Sequence, residues 1–76
     1  MDTEKIFQER LRSIRTEQGI SQKQVADGIN ITEVGYRNYE GGRRKPNFDV
    51  LISLASFFNI SLDYLVGLTN NPSKLC

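Results

Sequence analysis

Between Arg37 and Lys45 this 76-residue chain sets four cations, Arg37, Arg43, Arg44 and Lys45, against a single acid, Glu40. The local charge is +3, in a chain whose net charge is only +1. Guanidinium and ammonium groups at that density hold polyanions through charge and hydrogen-bond forks. Taken alone, such a segment is equally a solvated charged loop. Groups that perform covalent chemistry are sparse. There is no histidine, and the one cysteine, Cys76, is the final residue. Cys/His zinc and iron–sulfur sets are therefore excluded, and neither metal nor cofactor is expected. The acids are scattered, and no glycine-rich phosphate loop stands between a strand and a helix. The chain is not expected to be an enzyme.

The elements that must position these cations are helices. Asp2 or Thr3 can cap a first helix whose period places Phe7, Leu11 and Ile14 on one face, and Gly19 ends it. "SQKQ" reads as a capping box, Ser21 with Gln24, opening a second helix to about Ile29 with Val25 and Ala26 inward. Asn30 suits a left-handed turn, and Thr32 caps a third helix to about Tyr39 with Tyr36 and Tyr39 inward. Glu33, Val34, Arg37 and Asn38 then face outward. Gly35 weakens this helix by roughly 0.8–1 kcal/mol relative to alanine. "EGGRRKP" is a loop, and Asn47 caps a fourth helix with an apolar stripe of Val50, Leu51, Leu54, Ala55 and Phe58, widened by Phe48 and Phe57. Asn59 ends it, Ser61 caps "SLDYLVG", and Gly67 closes this fifth helix.

The reading is a compact all-α, five-helix domain over residues 1–68, with 69–76 a short flexible tail. An apolar share of 38% and a charged share of 25% suit a folded domain. No apolar run approaches the roughly 20 residues of a membrane span, and the N-terminal stretch lacks a signal-peptide core. One cysteine fits a reducing interior, and the expected location is cytoplasmic.

The strings "ERLRSIRTEQGISQKQVA", "YEGGRRKP" and "ISLDYLVG" carry more than helix spacing. Over residues 6 to 67 the chain resembles the Cro and lambda repressor family of helix-turn-helix DNA-binding domains. The resemblance implies that the second helix crosses the phosphate backbone and the third enters the major groove of double-stranded DNA. It assigns Gln22 to a phosphate, and Thr32, Glu33 and Val34 to the head of the recognition helix. Arg37 and Asn38 lie on its exposed face, and Arg43, Arg44 and Lys45 grip phosphate from the loop. Arg15 and Glu40 match the pair that holds the recognition helix in its pose. Two positions depart from the family pattern: an acid at Glu33, and Gly35 beside the bulky Tyr36. The implied function is a sequence-specific transcriptional regulator, a repressor binding a palindromic operator as a homodimer. Its dimer surface is expected on the fifth helix (Leu62, Tyr64, Leu65, Leu68) with Phe57 and Phe58 nearby. A protein-interaction module of antitoxin-like or repressor-neutralising kind is the alternative that Glu33 and Gly35 keep open.

Overall fold

A computed structural model describes residues 3–72. Five helices follow one another: α1 (Thr3–Glu17), α2 (Gln22–Gly28), α3 (Glu33–Glu40), α4 (Phe48–Phe58) and α5 (Leu62–Leu65). No strand occurs among the described residues. The all-α expectation holds, with the fifth helix a single turn rather than the longer element read from "SLDYLVG". Thr3 already lies within α1, so it is not the cap of that helix; Asp2 and Cys76 lie outside the described residues.

Local hydrogen bonds explain where the helices begin. Ser21 Oγ accepts from the Gln24 amide at 3.1 Å, while Gln24 Oε1 accepts from the Ser21 amide at 2.8 Å, completing the capping box. Thr32 Oγ1 accepts from Gly35, Asn47 Oδ1 from Val50 and Ser61 Oγ from Tyr64. All five helices end alike. Gly19, Asn30, Gly42, Asn59 and Gly67 turn into positive φ. The next amide then donates to the carbonyl five residues back: Ile20 to Arg15, Ile31 to Ala26, Arg43 to Asn38, Ile60 to Ala55 and Leu68 to Asp63, at 2.8–3.1 Å. Each bond satisfies a carbonyl that the helix end leaves open and swings the chain sharply away. After three of these turns the following isoleucine, Ile20, Ile31 or Ile60, returns to the core.

The core draws on every helix. Phe7, Leu11 and Ile14 of α1 meet Val25 and Ala26 of α2, Tyr36 and Tyr39 of α3, Leu54, Ala55 and Phe58 of α4, then Ile60 and Leu65. Ile29, Val50 and Leu51 are half-buried at its edge. α4 packs on α2 through one close approach. A Cβ at Gly28 would stand 2.1 Å from Phe57 Cε1, so only glycine leaves room for that ring. The Phe57 ring meets Phe58 edge-on at 5.1 Å.

Two side chains expected at a dimer surface belong to the interior instead: Phe58 is 3% exposed and Leu65 is fully buried. Phe48, expected in the apolar stripe, points out at 68% exposure. The segment after α5 is tied back as far as it is described. Arg10 donates to the Tyr64 carbonyl, to Thr69 O at 2.6 Å and to Asn70 Oδ1 at 2.8 Å, with its guanidinium 4.1 Å over the Tyr64 ring. The Ser61 amide donates to Pro72 O at 2.9 Å. Phe58 gives the clearest test of the core assignment. Phe58→Ala should lower unfolding free energy by about 3–5 kcal/mol in a urea titration, the range for deleting a buried aromatic side chain. A surface role would leave it near wild type.

Candidate nucleic-acid interface

The pose of α3 is set from behind by one buried carboxylate. Glu40, its last residue, is 2% exposed and receives both arms of Arg15: Nε to Oε2 at 2.8 Å and Nη2 to Oε1 at 2.9 Å. Arg15 Nη1 also donates to the Ile20 carbonyl, locking the α1–α2 turn to the same fork. Arg12, which the sequence reading missed, adds a second cation 3.6 Å from Glu40 Oε1. A planar two-bond fork fixes direction as well as distance, so α3 cannot rotate without breaking it. The expected Arg15–Glu40 pair is therefore present, more deeply buried on the acid side than sequence alone indicates.

Charge and burial compete at Glu40. Burial, the largest single influence, pushes its carboxyl pKa up. The Arg15 hydrogen bonds and charge, with help from Tyr36 and Gln22, outweigh burial and leave it below the ordinary 4.5. Burial first, then the neighbouring carboxylate, pushes the Tyr36 phenol far up. Tyr36 is wholly enclosed, and although its hydroxyl lies near enough for Glu40 to feel it, the oxygen makes no hydrogen bond of normal geometry. That is the cost of seating a tyrosine at this buried position.

The opposite face of α3 looks outward. Val34 is 64% exposed, Arg37 is exposed, and Glu33 and Asn38 are half-buried. Arg37 spans the two helices: Nη2 donates to Glu33 Oε2 at 2.7 Å, and Nε donates to Gln22 Oε1 at 3.2 Å. Three of the expected residues, Gln22, Glu33 and Arg37, thus form one cluster at the α2–α3 junction. Thr32 is occupied as cap acceptor, which leaves its hydroxyl proton to donate outward. Gly35 lies directly beneath that cap; a Cβ there would sit 3.0 Å from Thr32 Oγ1.

The loop cations frame the other end of α3. The amides of Arg43 and Arg44 both donate to the Asn38 carbonyl, at 2.9 and 3.2 Å, fastening the loop to the helix end. Arg44 lies 6.0 Å over the Tyr39 ring. Lys45 Nζ pairs with Glu4 Oε1 at 2.9 Å, both exposed, and that contact raises the Lys45 pKa. Lys45 therefore leans toward α1 while Arg43 and Arg44 stay by α3. The Glu4 contact, like the Arg10 strap on α1, has no sequence periodicity that would reveal it.

Two close-packed helices joined by the four residues 29–32, the second held by a buried fork, define a helix-turn-helix unit. The helix-turn-helix family profile matches residues 11–65. The chain belongs to this family, in its Cro and lambda-repressor-like branch. It is 36% identical over 67 residues to the "uncharacterized HTH-type transcriptional regulator YobD" of Bacillus subtilis (strain 168), covering 88% of this chain and 60% of that protein. It spans 46–56% of the length of three further Bacillus subtilis relatives. Among solved structures, the P22 c2 repressor in complex with synthetic operator 9T superposes with a TM-score of 0.75 at 26% identity, covering 80% of this chain and 92% of that one. A transcriptional regulator from Listeria innocua gives 0.76 at 31% identity, covering 92% and 63%.

The fork predicts a distinctive pH response. Since its folded pKa lies below 4.5, Glu40 contributes stability above that pH, and the contribution is lost as pH falls through the folded value. Arg15→Ala leaves the buried carboxylate with the exposed Arg12 as its one nearby cation among the described residues. It should cost about 3 kcal/mol at pH 7, the lower end for an unpaired buried charge. Burial then raises the Glu40 pKa, so stability lost at neutral pH returns as the group protonates. Urea unfolding should therefore show the gap to wild type narrowing as pH is lowered through 4.5. A gap independent of pH would refute the assignment.

Proposed function

We propose that the chain is a sequence-specific double-stranded-DNA-binding regulator, a repressor that occupies a palindromic operator as a homodimer. One observation carries the reading: α3 is clamped from behind by Arg15–Glu40 while its outer face offers Val34 and Arg37 beside a basic loop. α3 lies in the major groove, with α2 crossing the backbone. Val34 packs on a thymine methyl, and Arg37 and Asn38 face base edges or phosphates. Gln22, Thr32, Arg43, Arg44 and Lys45 hold phosphates, which position the domain without reading sequence. The operator complex of the P22 c2 repressor supports this docking by likeness of fold.

Fluorescence anisotropy on duplexes from the chain's own promoter region tests the reading. Specific binding should exceed random duplex and weaken with salt. Replacing Arg43, Arg44 and Lys45 by alanine should flatten the slope of log affinity against log salt by about 0.9 for each cation that meets a phosphate. Binding no tighter than to random duplex would defeat the proposal.

The dimer needs a surface that the core does not already use. Ile52 is 44% exposed and, with Ser56, Ser61, Leu62 and Asp63, rims a groove between α4 and α5 whose floor is formed by the core residues Ala55 and Ile60. Leu68 is exposed nearby in sequence, while Tyr64 is committed to Arg10. This groove, in place of Phe58 and Leu65, is the proposed seat of the second copy, setting two recognition helices about 34 Å apart. Ile52→Asp should convert a sedimenting dimer to monomer and weaken operator binding at least tenfold, with its thermal unfolding little changed. A variant that still sediments as a dimer would exclude the groove.

A further inference from the structure

We infer that Glu33 is a positioning residue that aims Arg37 at a guanine, so that the two side chains act as one reading unit. The inference rests on the DNA-binding reading above and adds what this helix recognises. An acid at the mouth of a phosphate-lined groove is repelled, and its favourable place in the first turn of α3 is available to any acid and does not call for the contact it makes. The Thr32 cap and the Arg15–Glu40 fork hold α3 without it. What Glu33 does in the folded chain is grip Arg37, one helical turn along, at 2.7 Å. Gln22 takes the same guanidinium by its Nε from the neighbouring helix.

These two anchors restrict an otherwise rotamer-rich side chain from two directions, so less freedom remains to be lost on binding. They also decide which edge of the fork is presented. Nε and one hydrogen of Nη2 are engaged, and Nη1 has no partner among the described residues. Both Nη1 hydrogens and one on Nη2 remain to donate, enough for a two-bond contact. Such a pair of donors matches guanine O6 and N7. The charges argue the same way. Glu33 cancels the Arg37 charge locally, so the pair draws little from phosphates in general and depends on the base-edge acceptors. Such a pair trades general affinity for discrimination.

The test selects duplexes from a randomised pool with the wild-type protein. Affinities of Glu33→Ala, Arg37→Ala and the double variant are then measured on the selected site and on sites with each guanine replaced. Both residues are at the surface, and an exposed pair at this spacing contributes little to folding, so circular dichroism melts should be unchanged. Glu33→Ala should lose about tenfold of its discrimination at one guanine, the order expected of one bidentate contact. It should bind random duplex more tightly, with a steeper salt slope, as Arg37 swings to phosphate. In the Arg37→Ala background, removing Glu33 should cost no further discrimination. Undiminished discrimination in Glu33→Ala overturns the inference. So does a further loss at a cytosine in the Arg37→Ala background, which would mean that Glu33 itself accepts from cytosine N4. If wild type prefers no duplex, the functional proposal fails with it; if a site is selected yet no guanine depends on Arg37, only this inference fails.

Discussion

The Arg15–Glu40 fork is the constraint on which the rest of this domain depends. A carboxylate at 2% exposure is unfavourable unless its oxygens are filled, and here both accept from one rigid guanidinium. Its value is directional. Pairs of this kind often contribute little net stability against an apolar replacement, but they admit one geometry. The same arginine also reaches the Ile20 carbonyl, so α1, the α1–α2 turn and the end of α3 are referenced to one group. The Tyr36 hydroxyl is buried beside the same carboxylate, so the fork also sets the surroundings of that phenol.

Around that fixed point, a chain of this size cannot rely on core volume alone. It relies on its helix ends. Four side-chain caps open α2 to α5, and five positive-φ residues close all five helices, so short loops leave in defined directions. The frame built this way leaves the outer face of α3 with few structural duties. Val34 packs against nothing that holds the fold, and Arg43 contributes only its backbone amide to the helix end. Those positions are free to vary with a partner.

Three of the four cations of this face already have partners within the fold. Arg37 sits between Glu33 and Gln22, Lys45 on Glu4, and Arg44 over Tyr39. On the proposed reading, a polyanion approaching this face would take Lys45 from Glu4 and Arg44 from the Tyr39 ring, while Arg37 keeps its Glu33 and Gln22 anchors. Exposed pairs of this kind hold weakly, so the exchange costs little, while the side chains stay ordered near where they are used. The clustering of four cations against one acid between Arg37 and Lys45 gives a chain with a net charge of +1 its basic edge.

What could be read in the sequence was whatever is settled within a few residues. The Ser21 capping box, the Thr32, Asn47 and Ser61 caps, and the turns at Gly19, Asn30 and Asn59 are all hydrogen bonds or dihedral preferences between near neighbours, and each is found where the pattern placed it. The family motif added the Arg15–Glu40 pair across 25 positions. Helix α4 marks the limit. Its apolar residues spread beyond one stripe, so periodicity placed Phe58 inward yet could not tell that Phe48 faces out or that Phe58 is too deep for a dimer surface. That choice was made by how the shared core closes on α4. Likewise Leu65 was drawn inward from a supposed surface, Arg10 caught the chain beyond α5, and Arg37 found Gln22, through contacts that exist only once distant helices meet. Burial is a property of the assembled neighbours, and no local preference encodes which neighbours those will be.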